Sequence, residues 1–219
     1  MPLGFCSHFN TFLPIAVFLL RSSRGARSSD PRLPIPAAKF LIGGFLVVAL
    51  VLGWWMKDGI VISDESAYQF QARIFSTGRL WANSLPGATS DPRTTPKPVF
   101  FAHHIQASPR WFTKYPQGWP LMLALPERLH LGWTLCPTLG AALLLLIVQL
   151  GRKLFDHQTA TIAVFLAVLS PYFLANCIGY MSHVSCAVLL VASLLYLQGL
   201  NTSPQWRLSG SFGLLVYSA

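Results

Sequence analysis

Two adjacent carboxylates, Asp64 and Glu65, follow an apolar run and open the polar segment SDESAYQFQARIFSTGRL. A positioned carboxylate can accept a proton from a substrate hydroxyl, which is general base chemistry. The same pair can instead cap the first turn of a helix and complement the positive end of its dipole. The residue types leave both interpretations open, so the choice depends on the groups that the fold brings near the pair.

A second polar cluster lies in the stretch FFAHHIQASPRWFTKYPQGWPLMLAL, where cations are interleaved with aromatic side chains. Its polar and cationic members are His103, His104, Arg110, Lys114 and Tyr115. Such cations can bind a phosphate group while neighbouring Trp and Phe rings lie at the level of lipid headgroups. An ordinary interfacial belt of Trp and Lys would have the same composition. The two adjacent histidines point in different directions on most backbones, so we expect no metal site.

His183 is a further ionisable candidate, because it lies at the margin of a long apolar run. An ionisable group in that position can face an interior cavity and bind a substrate. It can also reach the membrane interface as a neutral imidazole beside Ser182, with no functional role.

These polar groups are set in a chain with the composition of a polytopic membrane protein. Of its residues 53% are hydrophobic and 11% are charged, whereas a soluble domain has about a quarter of charged residues. Four uncharged runs each reach the roughly 17 to 25 residues that a helix needs to cross a bilayer. They are 40–56, 131–150, 159–178 and 184–200, with a partial fifth over 208–219 and a long loop over 57–130. We therefore predict an all-α fold, a polytopic transmembrane helical bundle with juxtamembrane helices in that loop.

Basic residues mark the expected cytoplasmic side of the membrane. Arg152 and Lys153 follow the second span, Arg207 follows the fourth, and a basic leader precedes the first. The positive-inside rule places residues 1–38 in the cytoplasm as a flexible leader and the loop 57–130 outside. The net charge of +9 forms no stripe with interleaved aromatics on a soluble domain, so we expect membrane lipids and no nucleic acid as partners.

The segment that Asp64 and Glu65 open has the pattern of a short amphipathic helix. Ser63 and Asp64 are good N-cap residues, and Gly78 is a plausible stop. Apolar residues recur at i, i+3 and i+7 on one face, at Ala67, Phe70 and Ile74. We expect this helix to lie along the interface with its acidic N-terminus close to the membrane.

The motif DESAYQFQARIFSTGRL after a first span, followed by KYPQGWPLMLAL before the next, resembles the first outer loop of GT-C superfamily glycosyltransferases. The relatives in question are the protein O-mannosyltransferases and the bacterial aminoarabinose transferases that act on lipid A. In that family an Asp-Glu or Asp opens a juxtamembrane helix, and a Lys-(Tyr)-Pro-Pro-Gly-like motif re-enters the membrane. Here Gln117 replaces a frequent second Pro. The resemblance covers about residues 39–200, and family members are longer, so we expect this chain to be truncated.

The resemblance implies an inverting transferase of the bacterial inner membrane. Such an enzyme moves a hexose or pentose from a polyprenyl-phosphate donor to a hydroxyl of a lipid, glycan or protein acceptor. Asp64 becomes the candidate general base, Glu65 its supporting partner, and Lys114 with Arg110 the cations that stabilise the departing phosphate. The remaining candidate substrate contacts are Tyr115, His103, His104 and His183. No cofactor is implied, and relatives differ in whether they use a divalent metal.

Two alternatives to an active transferase stay open on the sequence. The chain can be an inactive fragment that keeps the catalytic first loop but lacks later helices. It can also be a non-catalytic membrane protein, such as a transporter piece or assembly subunit, whose loop binds a lipid or a partner. Pro171 is the only interruption deep in a predicted span and no acidic residue lies within one, which disfavours a transporter.

Overall fold

The computed structural model describes residues 36–57, 59, 63–83, 105–107 and 110–200 of the chain. This part of the protein is mostly helical, with α1 (Pro36–Met56), α2 (Ser63–Ser76), α3 (Gly118–Arg128), α4 (Leu135–Leu154), α5 (His157–Leu169), α6 (Pro171–Ile178) and α7 (His183–Leu200). A short 3-10 turn over Gly132–Thr134 precedes α4. The predicted leader 1–38, except for its last three residues, and the partial span 208–219 lie outside the described residues.

A small sheet corrects the all-α prediction. Strands β1 (Ala82–Asn83), β2 (Ile105–Ala107) and β3 (Arg110–Thr113) form an antiparallel sheet in the order β1-β3-β2. β3 alternates along its length, because Trp111 and Thr113 are buried while Arg110 is exposed. Aromatic and β-branched residues with period-two burial favour a strand over a helix. The loop between the first two spans therefore contains a sheet as well as helices.

Two helical segments are long and apolar enough to cross a membrane. They are Ala37–Met56 and Gly132–Leu154, which correspond to the predicted spans 40–56 and 131–150. The second ends in Arg152 and Lys153, where cations complement the negative end of a helix dipole. The apolar stretch of α7 within the described side chains, His183–Tyr196, is shorter than a full span.

The predicted span 159–178 is not one continuous helix. α5 and α6 meet at Ser170 and Pro171 with a bend of 68°. Pro171 has no N–H for the helix ladder and disfavours helical geometry in the preceding residue. Ser170 is accordingly extended, and its Oγ accepts a hydrogen bond from the Phe173 N–H at 3.3 Å to cap the new helix. Counted as one span, the bent pair brings the number of candidate spans to three.

The long helices share one apolar core. Its buried members are Ile42, Phe45, Ala49, Ala141, Leu143, Leu144, Val164, Cys177 and Val184. The helices approach closely where one of them has glycine: a Cβ on Gly140 would lie 2.5 Å from the Cys177 sulfur, and one on Gly151 would lie 2.9 Å from the Ala160 Cβ. Many large apolar side chains point outward, as is usual for helices that face lipid.

The outer segment between α1 and α4 packs α2 along α3. Tyr68 lies in one buried cluster with Trp119, and Ala72 lies in another with Leu123, so the two helices run in the same direction. Gln71 joins them to the sheet, because its Oε1 accepts from the Thr113 N–H at 3.0 Å and its Nε2 donates to the Leu80 carbonyl at 3.1 Å. Both N-termini therefore lie at one end of this unit.

The predicted stop of α2 at Gly78 is confirmed, whereas Ser63 and Asp64, predicted as N-cap residues, already lie within the helix. The helix starts at Ser63 with Asp64 and Glu65 in its first turn. Gly78 adopts a φ of 76°, its N–H bonds the Phe75 carbonyl at 2.9 Å, and the Arg79 N–H bonds the Ile74 carbonyl at 3.4 Å. This pair of bonds is the Schellman stop, which needs a left-handed residue that glycine supplies without strain.

The predicted apolar face of α2 is turned inward. Ala67 and Ile74 are buried and Phe70 is half-buried, and the polar Gln69 and Gln71 are buried as well. α2 therefore packs this face against the rest of the protein. A helix lying along the membrane interface, as expected for α2, would instead leave its apolar face for lipid.

Candidate functional site

The two polar motifs of the sequence come together at the N-terminal ends of α2 and α3. Asp64 and Glu65 lie in the first turn of α2, and Lys114 and Tyr115 lie between β3 and α3. The rings of Tyr68 and Tyr115 are tilted against each other with centroids 5.0 Å apart, which fixes the two segments side by side. The turn between α6 and α7 contacts the first turn of α2 through Glu65.

Asp64, Tyr115 and Lys114 form the centre of this site. The Tyr115 hydroxyl is hydrogen-bonded to the Asp64 carboxylate. The Lys114 Nζ lies 5.5 Å from the centroid of the Tyr115 ring. Asp64 and Tyr115 are half-buried, whereas Lys114 is exposed. The arrangement combines a carboxylate that can accept a proton, a phenol that orients it, and a cation exposed to solvent.

Burial raises the pKa of Tyr115 to about 12, and the hydrogen bond to Asp64 and the charge of that carboxylate add to the effect. At neutral pH the phenol therefore keeps its proton and donates it to Asp64. Because the fold favours the protonated form, this contribution to stability is present below pH ~10. It is lost as the pH rises toward about 12, where the folded phenol ionises.

The Tyr115 titration is directly measurable from the ultraviolet absorbance of tyrosinate. We expect the difference between the wild-type chain and a Tyr115→Phe chain to show a midpoint of about 12. In an Asp64→Asn chain this midpoint falls but stays above ~10, because burial is the largest cause of the shift. A wild-type midpoint near ~10 would show that the phenol is neither buried nor bonded to a carboxylate.

Glu65 is directed away from this centre, into the turn between α6 and α7. Its side chain is buried, with 5% of the residue exposed. Its Oε1 accepts a hydrogen bond from the Tyr180 backbone N–H at 3.3 Å, and its carboxylate lies close to the position that a Cβ on Gly179 would occupy. Glu65 therefore ties the start of α2 to the long helices. The sequence analysis made Glu65 the supporting partner of Asp64 and did not predict this contact.

Tyr180 is a site residue that the sequence analysis missed, and its partner Trp119 belongs to the aromatic residues of the second motif. The Trp119 indole N–H donates to the Tyr180 carbonyl at 2.8 Å, and the Tyr180 hydroxyl donates to the Lys57 carbonyl at 3.4 Å. The turn is thus held by α2 through Glu65, by α3 through Trp119, and by the end of α1. The only signal in the sequence was the Gly-Tyr pair at residues 179–180, which interrupts an apolar run.

The structure does not group Arg110 with the carboxylates. Arg110 is exposed at the first position of β3, and its guanidinium carbon lies 4.1 Å from the centroid of the Trp81 ring. The strand separates it from Lys114 by about 13 Å of backbone. The predicted pair of cations is therefore reduced to one at the centre of the site. His103 and His104 lie outside the described residues.

His183 is the first residue of α7 and is exposed beside the same turn. Its Nδ1 lies 2.9 Å from the Asn176 Oδ1, while the Asn176 Nδ2 donates to the Tyr172 carbonyl at 2.9 Å. Because the amide oxygen is then the acceptor, the imidazole carries its proton on Nδ1. The contact joins α7 to α6 across the turn whose Tyr180 N–H is bonded to Glu65.

Glu127 has a second largely buried carboxylate, and no pattern in the sequence indicated its burial. Its side chain is 10% exposed, its Oε1 accepts from the Gln69 Nε2 at 3.1 Å, and its Oε2 lies 3.6 Å from the Arg73 Nε. It lies at the C-terminal end of α3 and contacts the middle and the later part of α2, so it is not part of the centre that Asp64 forms at the N-terminal end of α2. Among the described residues no group of three or more His, Cys, Asp and Glu side chains could hold a metal ion.

The described part of the protein is largely helical. It has two helices that are apolar enough to span a membrane, or three candidate spans if the bent pair of α5 and α6 is counted as one, and a polar centre lies at one end of these helices. The length and composition of these helices indicate a membrane protein. Comparisons of the chain with protein-family models, with curated proteins and with solved structures find no match.

Proposed function

We propose that this chain is the N-terminal part of a multi-pass membrane glycosyltransferase of the GT-C type. It would transfer a sugar from a polyprenyl-phosphate donor to a hydroxyl of a lipid, glycan or protein acceptor. The observation that carries the proposal is the hydrogen-bonded pair of Asp64 and Tyr115 beside the Lys114 cation. These residues come from the two motifs that resemble the first outer loop of that superfamily.

The chemistry assigns one role to each group of the centre. The acceptor oxygen attacks the anomeric carbon while Asp64 takes the acceptor proton. The bond between the anomeric carbon and the phosphate oxygen breaks, and its electron pair leaves with the polyprenyl phosphate. Lys114 compensates the charge that develops on this phosphate. Tyr115 donates to Asp64 and so fixes the orientation of the carboxylate during the proton transfer.

A lipid-linked donor agrees with the position of the centre at the end of the apolar helices. Trp54, Lys57 and Trp133 lie at this end of α1 and before α4, as is usual where helices leave the hydrocarbon region. Arg152 and Lys153 lie at the other end of α4. The positive-inside rule supports the proposal that the centre lies outside and the N-terminus lies in the cytoplasm, and we propose a bacterial inner membrane or its equivalent as the location.

The test of the proposal is a transfer assay in membranes that contain the full chain. Radiolabelled sugar is offered as a panel of polyprenyl-phosphate donors, with nucleotide sugars as a second panel and with membranes lacking the chain as the control. We expect labelled product only with the chain and only from the lipid-linked panel. Correctly inserted protein that transfers no sugar from any donor would overturn the proposal for this chain, and transfer from a nucleotide sugar would overturn the donor class.

The bend between α5 and α6 favours a second candidate, a non-catalytic transport or lipid-binding component. Helices that are broken within the bilayer often line the substrate sites of transporters. The support is limited, because the residues from Ala160 to Ile178 include no charged side chain that could bind an ion or ionic substrate. Absence of transfer together with uptake of a labelled substrate into vesicles would select this candidate.

A further inference from the structure

α3 is apolar on two opposite sides. One side carries Trp119, Leu123 and Ala124, which are buried against α2 and the turn. The other side carries Leu121, Leu125 and Leu129, and these residues are 64%, 71% and 61% exposed. They recur every four residues in and directly after α3, so they form one continuous row, which we name the leucine row. An exposed apolar row of this kind marks a surface that something apolar covers.

A basic cleft adjoins the C-terminal end of the leucine row. It has a volume of about 580 Å³ and is lined by Arg73, Ser76, Thr77, Glu127, Arg128 and His130. Glu127 is already bonded to Gln69 and Arg73, so the cleft holds two guanidinium groups against one satisfied carboxylate. Arg128 is exposed on the same side of α3 as the leucine row. The cleft therefore suits an anionic group that is attached to something apolar.

The contacts of Trp133 fix the level of this surface relative to the long helices. Trp133 packs edge-on against Trp54 in the last turn of α1, with ring centroids 5.4 Å apart. The Lys57 Nζ lies 3.5 Å from the centroid of the same Trp54 ring. Trp and Lys at the end of an apolar helix mark the boundary between hydrocarbon and headgroups. The C-terminal end of α3 thus lies at the level where α1 leaves the membrane.

We infer that α3 is an interfacial anchor that binds an anionic phospholipid of the surrounding leaflet. The leucine row lies among the acyl chains, and Arg73 and Arg128 hold the headgroup phosphate in the basic cleft. α3 is about 16 Å long, which is too short to cross a bilayer but suits a helix that lies in its surface. The interfacial helix of the outer segment is then α3 and not α2, whose apolar face is buried in the protein. This inference does not depend on the transfer activity, because the cleft lies at the opposite end of α2 from Asp64.

The test places an environment-sensitive fluorophore on Leu125→Cys in the full chain. Cys6 and Cys186 are replaced by serine and alanine, and the buried Cys136 and Cys177 are kept. The protein is embedded in nanodiscs of phosphatidylcholine that contain either spin-labelled phosphatidylglycerol or spin-labelled phosphatidylcholine. We expect lipid quenching, protection from aqueous iodide, and several-fold stronger quenching by the anionic lipid. The ratio of quenching by spin-labelled phosphatidylglycerol to quenching by spin-labelled phosphatidylcholine should approach one in Arg128→Gln and at high salt. It should stay unchanged in Arg128→Lys and in the matched control Arg152→Gln.

Each other outcome of this experiment overturns the inference. Quenching by iodide would place the leucine row in water, and protection from both iodide and lipid would mean that a protein surface, such as a second copy, covers it. Equal quenching by the two lipids, or an unchanged ratio in Arg128→Gln and at high salt, would remove the headgroup site. Loss of the ratio on addition of inorganic phosphate, at an ionic strength where sodium chloride leaves the ratio unchanged, would show that the cleft takes the free ion.

Discussion

An Asp64→Asn chain is expected to transfer sugar roughly 10² to 10⁴ times more slowly than the wild-type chain, the range that a positioned general base contributes. Asparagine has the same shape and keeps an oxygen that can accept from Tyr115, so the local geometry is retained. Its amide cannot take the acceptor proton. In the proposed mechanism Lys114 binds the donor phosphate, and this role does not involve the Asp64 carboxylate. We therefore expect kcat to fall while KM for the donor stays close to its wild-type value. Initial rates over a range of donor concentrations measure both.

Asp156→Asn is the matched control for this substitution. Asp156 is an exposed carboxylate at the other end of α4, and its Oδ1 accepts from the Thr159 N–H at 2.6 Å as the N-cap of α5. The Thr159 backbone N–H holds the pKa of this carboxyl below its usual range. Asparagine is an equally good N-cap, so the transfer rate should not change. Equal rates in Asp64→Asn and Asp156→Asn would leave both carboxylates as helix caps.

Local signals in the sequence were sufficient for the elements that carry Asp64. The uncharged runs predicted α1 and α4, and Gly78 predicted the C-terminal end of α2, because a span and a helix end depend on neighbouring residues only. β1 and β2 have two and three residues, and the alternation of β3 covers only four, which is too short to identify a strand from the sequence, so the sheet was missed. Pro171 indicated an interruption, but the 68° bend depends on how α6 packs, which periodicity does not contain.

The grouping within the site was predicted less completely than the elements. Lys114 and Tyr115 were assigned to the same site as Asp64, and the structure places them there. Arg110 has the same charge and a similar neighbourhood in the sequence, yet the extended backbone of β3 carries it to Trp81. Glu65 bonds a residue 115 positions away. A contact over that separation has no local pattern, so its partners Gly179 and Tyr180 could not be predicted.

The contact between Glu65 and the turn at Gly179 contributes to the stability of the fold. Gly179 has a φ of −90° and a ψ of −170°, an extended conformation that any residue can adopt, so backbone strain does not require glycine here. A Cβ at this position would instead meet the Glu65 carboxylate. We expect Gly179→Ala to displace the carboxylate from the Tyr180 N–H and to leave a buried polar group unpaired, at a cost of about 1 to 3 kcal/mol in the free energy of unfolding.

A double-mutant cycle separates this contact from other effects of the substitution. Once Glu65→Ala has removed the carboxylate, the added Cβ has room, so Gly179→Ala in that background should lower stability little further. The midpoint of heat-induced loss of the monodisperse protein in detergent should fall by roughly 2 to 4 °C per kcal/mol in the single variants. Gly43→Ala is the control, because a Cβ on Gly43 meets nothing within 4 Å and alanine favours the helix. Losses that simply add in the double variant would mean that Glu65 does not hold the turn between α6 and α7, and the Asp64 centre would then lack its connection to the long helices.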